Sequence, residues 1–247
     1  MTNRRQVLGL AAALGISPIA QAQMPRELKV VTSHLPPLVL ENSARPGALL
    51  ELVQLLCERL RLMPEIDFVP WQRAIFLASK MPATAIFPLT RNPQREKQFR
   101  WLAPLYEEHY VFLARHGSSF DLKRPAEMLG KRIALLRGAG QASIMHEMGY
   151  SNLVESASID EVHRFLLGGM ADAAFGERNI IRASLRSRGE VKDFEQSAPV
   201  RTTTAWLAGS LDFSEKDAAR YQRAMARMQA DGSVQRVLKR YGLDEEA

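Results

Sequence analysis

The 247 residues are 46% hydrophobic and 24% charged, the balance of a globular chain with a large core, which excludes disorder as the main state. The length suits two lobes of roughly 100 residues better than one core, and a lone Cys57 excludes an internal disulfide, a CxxC redox pair and a thiolate zinc cage. The net charge of +6 is modest and its basic residues alternate with acidic ones, as in Glu58-Arg59 and Glu215-Lys216-Asp217, so no nucleic-acid partner is expected.

Arg4 and Arg5 precede an apolar run over 7–20 that closes on Ala20-Gln21-Ala22, small residues flanking a polar one. This is the pattern of a signal peptide over 1–22, cleaved after Ala22. The run is shorter than the roughly 20 apolar residues that span a bilayer. The paired arginines resemble a twin-arginine signal, although ordinary export stays open. With no cysteine at the cleavage point, the mature protein is expected free in the periplasm.

Residues 28–33 read as a strand, ended by Pro36-Pro37. Leu49, Leu52, Val53, Leu56 and Leu60 then recur at helical spacing, one apolar stripe of a helix ending near Met63-Pro64. A strand over 66–69, a helix over 72–79 and a strand over 83–88 follow, the alternation of a parallel sheet covered by helices. A strand over 110–115 runs into the small polar joint His116-Gly117-Ser118-Ser119, where the chain is expected to cross into a second lobe. There the rhythm restarts, with strands over 132–136, 153–155 and 171–175 and helices over 141–148, 159–167 and 177–185. The chain returns through a strand over 202–207 and ends in two helices, one capped by Ser214 with Asp217 at its third position, the other over 233–241. The expected organisation is a first lobe of 23–115 plus 199–247 and a second of 116–198.

Catalytic signatures are scarce: there is no Gly-x-Ser-x-Gly elbow, no His-Glu-x-x-His pair and no Walker lysine. The five histidines show no ligand spacing, and no metal or cofactor is expected. Gly138-Ala139-Gly140, between a strand and a helix, is half of a dinucleotide fingerprint with Ser143 in place of the third glycine. Its small residues leave amides free for an anion, or simply make a tight turn. Arg91 and Arg95 follow a strand end in one lobe and Glu177 a strand end in the other, where ligands of open α/β sheets lie. Together these charges would clasp a zwitterion.

The segment Thr90-Arg91-Asn92-Pro93-Gln94-Arg95, followed by Trp101 and Pro104-Leu105-Tyr106, resembles a signature of the extracellular solute-binding proteins of family 3, receptors typical of polar amino acid ABC importers. Leu35-Pro36-Pro37-Leu38, residues 168–177 and Asp231-Gly232-Ser233 through Tyr241-Gly242 support the resemblance over nearly all the mature chain. It implies an α/β fold of periplasmic binding protein type II, two α/β lobes with a hinge and an interlobe cleft. By position, Arg95 matches the arginine that binds the ligand carboxylate and Glu177 the acid that binds its ammonium. Ala139 and Gly140 match the turn that donates amides, and Thr90 the hydroxyl residue before the arginine. This chain departs from the family at Leu35, where an aromatic stacks on the ligand, at Thr32, where an acid stands, and at Ala139, where a threonine stands. With Trp71, Phe87 and Pro88 near strand ends, the pocket reads as more apolar than one for a basic amino acid. The implied protein is a monomer that captures a small-molecule ligand and closes on it for ABC transporter membrane subunits. A cyclohexadienyl dehydratase-like enzyme, with Glu177 or His34 as acid or base, and a ligand-presenting sensor subunit are the alternatives.

Overall fold

The computed structural model describes residues 26–42 and 44–243, and the expected signal segment 1–22 lies outside the described residues. Strand β1 (Arg26–Thr32) leads into helix α1 (Ala48–Arg59). Leu49, Leu52, Val53 and Leu56 are wholly buried along one face of α1, each such burial contributing about 1.5–3 kcal/mol. Cys57 beside them is buried too, and desolvation pushes its thiol up to about 12. The helix ends earlier than its apolar stripe suggests, because Arg61 turns the chain into the left-handed region at φ 54°. Strand β2 (Leu62–Phe68) therefore already contains Pro64. Proline is tolerated there because β2 is the edge of the sheet, with an open side on which a missing N–H loses no ladder bond.

Helix α2 (Trp71–Lys80), strand β3 (Thr84–Thr90) and the long strand β4 (Arg100–Arg115) complete the outward path. The expected strand over 110–115 is only the last part of the 16-residue β4. Its first half holds Pro104, which the ladder accommodates through register shifts on either side of it, between Trp101 and Ala103 and between Pro104 and Tyr106. The second lobe contains β5 (Ile133–Leu136), α3 (Gln141–Glu147), β6 (Leu153–Ser156), α4 (Ile159–Leu167), β7 (Ala173–Glu177), α5 (Arg178–Arg188) and β8 (Phe194–Gln196). Strand β9 (Arg201–Gly209) returns to the first lobe, where α6 (Glu215–Ala230) and α7 (Ser233–Arg240) pack. Ser214 and Asp217 form a reciprocal capping box on α6.

Among the described residues the sheet runs β2-β1-β3-β9-β4-β7-β5-β6, with β8 beside β4. Pairing is parallel within each lobe's β1-β2-β3 and β5-β6-β7 sets, and antiparallel where β9 and β4 join them. Strand β4 pairs with β9 from Arg100 to Tyr110 and with β7 from Tyr110 to Leu113. Phe112 and Ala114 enter one core of the second lobe, Val111 and Leu113 the other. The chain thus changes lobes at Tyr110, inside an unbroken strand, ahead of the polar joint at 116 from which the crossing was expected. Composition changes at the strand's end, whereas the core changes where its pairing partner does.

Candidate functional site

Asn92 folds the turn after β3: its Oδ1 and its carbonyl both accept from the Arg95 backbone N–H, at 3.0 and 3.1 Å. This carries the Arg95 side chain back over the strand end, where the residue is 8% exposed. Arg95 Nη1 donates to the Thr90 carbonyl at 3.0 Å, and Nη2 donates across the cleft to the Gly138 carbonyl at 2.7 Å. One guanidinium therefore ties the two lobes. Close approach requires glycine on the far side: a Cβ on Gly140 would lie 3.0 Å from the Thr90 Cβ, and Gly138 holds φ 73° against Gln72. The Ala139 N–H closes a turn onto the Leu136 carbonyl at 3.2 Å. The 138–140 turn thus meets Arg95 with an acceptor, the Gly138 carbonyl, whereas the sequence led to the expectation of donated amides.

Beneath this bridge, Tyr106, Glu108 and Tyr110 alternate along β4 and so share one face of it. Glu108 is buried and accepts from Thr203 Oγ1 at 3.0 Å, its partner in the β4–β9 register. The Tyr110 hydroxyl lies 3.2 Å from Thr90 Oγ1. Burial pushes the Glu108 carboxyl up, opposed by the hydroxyls of Thr203, Thr90 and Tyr110 and by Arg95. Burial likewise pulls Arg95 below its ordinary value, opposed by Tyr110 and Glu108. The sequence reading missed Glu108 and both tyrosines. Their signal was the polar alternation Tyr-x-Glu-x-Tyr, which the late start assigned to this strand concealed.

Glu177 closes β7 and caps α5. Its Oε2 accepts from the Asn179 and Ile180 backbone N–H groups at 2.8 and 2.9 Å, and the Tyr106 hydroxyl donates to Oε1 at 3.4 Å. The residue is 2% exposed. Desolvation raises its pKa from the ordinary 4.5 to about 7, Glu108 adding to the rise while the two amides and Tyr106 oppose it.

Two cavities, each of about 680 Å³, stand out, and Arg95 lines only the second. Leu35 and Trp71 line the first, facing Ile159 and Ile180 of the second lobe. Arg95, Gly138 and Ala139 line the second. Glu177 borders a void of about 20 Å³ that shares Leu136, Ile159 and Ile180 with the first cavity. Arg95 and Glu177, expected to clasp one ligand, thus border different spaces. Arg91 leaves the cleft altogether. Its Nε donates to Glu96 Oε2 at 2.9 Å, and its guanidinium lies 5.2 and 5.1 Å from the ring centroids of Trp101 and Trp206. Phe87 and Pro88 belong to the fully buried β3 and are core, and the Thr32 hydroxyl donates to the Phe87 carbonyl at 2.7 Å. Among the described residues no group of three or more His, Cys, Asp or Glu side chains is placed to hold a metal ion.

Two α/β lobes joined by β4 and β9, with a buried cation at their seam, make up a two-lobed protein with a cleft between the lobes. The family of bacterial extracellular solute-binding proteins, family 3, matches residues 28–244, and the chain belongs to it. Comparison with curated protein sequences gave no match. Among solved structures, the chain is similar to a histidine kinase sensor domain with similarity to periplasmic binding proteins, at TM-score 0.79 and 16% identity over 88% of this chain and 96% of that one. An ABC uptake transporter substrate-binding protein from Streptococcus pneumoniae with bound histidine matches at TM-score 0.74 and 12% identity, over 87% of this chain and 92% of that one. An ancestral amino acid-binding protein, a precursor of cyclohexadienyl dehydratase, matches at TM-score 0.72 and 15% identity, over 87% and 94%. At these identities the likeness shows the fold, periplasmic binding protein type II.

Proposed function

We propose that the protein is a periplasmic receptor that captures a small carboxylate-bearing ligand, an amino acid or derivative, and presents it to the membrane subunits of an ABC importer. The observation that carries this reading is Arg95, a cation buried at the seam of the lobes whose Nη2 is held, among the described residues, by a neutral carbonyl of the opposite lobe. A ligand carboxylate would take that donor in a charge-assisted bond roughly twice as strong as a neutral one. An ammonium on the same ligand would draw Glu177 back toward its ionised form. Such a ligand touches both lobes only when they are together, so its binding favours the closed form by its differential affinity for it. Mass spectrometry of protein purified from its native periplasm tests the reading. It expects one retained small molecule bearing a carboxylate, and a retained molecule without one would refute it.

A second reading draws on one observation. A buried carboxyl with its pKa raised to about 7, next to a small void that shares walls with the larger cavity, as Glu177 is, has the proton affinity of a general acid or base. A cyclohexadienyl dehydratase-like activity would show as turnover of prephenate or arogenate. The likeness to a sensor domain supports a ligand-presenting role for a membrane sensor, which differs from the importer reading in the partner that co-purifies with the closed form.

A further inference from the structure

We infer that the captured ligand carries a large apolar side chain, housed in the cavity between Trp71 of the first lobe and Ile180 of the second; this rests on the capture reading above. The cavity's roughly 680 Å³ falls within the span of about 300–1,000 Å³ usual for small-molecule sites. That is far more room than a ligand's backbone atoms need, so a side chain must fill it for the closed lobes to exclude water. Its inner wall is Leu35, Phe68, Trp71, Leu136, Ile159 and Ile180.

Several hydroxyls at this cavity are committed to the protein itself, while the Trp71 Nε1–H on its wall is buried without an acceptor among the described residues. Ser33 Oγ donates to the Val69 carbonyl at 2.5 Å, Ser187 Oγ donates to the Ser184 carbonyl at 2.9 Å, and Ser158 Oγ accepts from the Glu161 N–H at 3.2 Å as the cap of α4. Asp160 is paired with Arg188. A polar side chain entering here would shed its water and find, apart from the Trp71 Nε1–H, few free partners, the unfavourable half of any buried hydrogen bond. The carboxylates that border the cavity, Glu41 and Asp160, are exposed at its rim. They repel an acidic side chain, and toward a basic one an exposed carboxylate offers only a solvent-screened attraction. An aromatic or branched aliphatic body meets none of these costs. It also reaches the cleft interior beside Glu177, because Leu136, Ile159 and Ile180 wall both spaces.

The test is calorimetric titration of the purified protein, freed of retained ligand by dialysis, with L-phenylalanine, L-leucine, L-arginine, L-glutamate and glycine. All five share the ammonium and carboxylate and differ only in what enters the cavity. Phenylalanine is expected to bind at least about tenfold more tightly than glycine, arginine or glutamate, given the apolar area it buries. Ala183, on α5 at the same cavity, supplies a second arm: Ala183→Trp fills the space and should lower the phenylalanine-to-glycine affinity ratio about tenfold. Arginine or glutamate binding as tightly as phenylalanine would overturn the apolar chamber and leave the capture reading standing. An unchanged ratio in Ala183→Trp would likewise overturn it. Failure of all five to bind would refute the amino acid clasp itself and this inference with it.

Discussion

Replacing Glu177 with glutamine should stabilise the protein at alkaline pH and do little at acid pH. The carboxyl is 2% exposed and its pKa stands near 7 against an ordinary 4.5. Being raised in the fold, it favours the protonated form there, so the stability it contributes is fully present below pH 4.5 and is lost as pH rises through about 7. At about 1.4 kcal/mol per pH unit, the ionised group costs the fold up to about 3 kcal/mol above that point. Glutamine mimics the protonated acid, and its amide oxygen can still accept from the Asn179 and Ile180 amides that cap α5. Glu177→Gln should therefore match wild type near pH 4.5 and gain up to about 3 kcal/mol by pH 8, worth about 2–4 °C of Tm per kcal/mol in a domain of this size. Urea and thermal unfolding at both pH values measure it. Glu108 titrates with the same sign, and the difference between variant and wild type removes most of its contribution. A Glu177→Gln variant less stable than wild type at pH 8, or a difference that is flat with pH, would refute the assignment of Glu177 as a destabilised buried carboxyl.

Further outcomes follow from the same geometry. Ser214→Ala removes one half of the capping box on α6 and should cost about 1 kcal/mol in urea unfolding at neutral pH. Small-angle scattering should show a smaller radius of gyration with saturating ligand, since β4 and β9 are the strands that join the lobes; identical curves would argue for a rigid pocket. N-terminal sequencing of the exported protein should read from Gln23, and a lipid-modified terminus or a start at Met1 would contradict the proposed signal.

Local patterns in the sequence carried the helices well. The stripe of α1, the Ser158-capped α4 over the same 159–167, and the Ser214 cap of α6 depend on neighbours within a few residues, which periodicity and capping chemistry register directly. Prolines misled the strand assignments, because Pro64 and Pro104 are tolerated only through an edge position and through register shifts that no local window reveals. The sequence pointed to Arg95 and Glu177, and the structure buries both while their surroundings were not legible. Arg91 and Arg95 stand four apart in one segment, and beyond the family resemblance that singles out Arg95, local periodicity does not say which turns inward. That is decided by Asn92 folding the turn, and by Trp206, far along the chain, receiving the Arg91 guanidinium. Glu108, Tyr106 and Tyr110 became part of the site only because β4 passes beneath the cleft from one lobe to the other.

The central claim, a carboxylate held by Arg95 inside the closed cleft, is tested most directly by titrating wild type and Arg95→Ala with the retained amino acid and with the matching amine that lacks its carboxylate. Loss of a charge-assisted bond in a desolvated cleft should weaken the amino acid by roughly 2–5 kcal/mol, with Arg95→Lys recovering only part, and weaken the amine far less. Equal binding of the amino acid by wild type and Arg95→Ala would contradict the account.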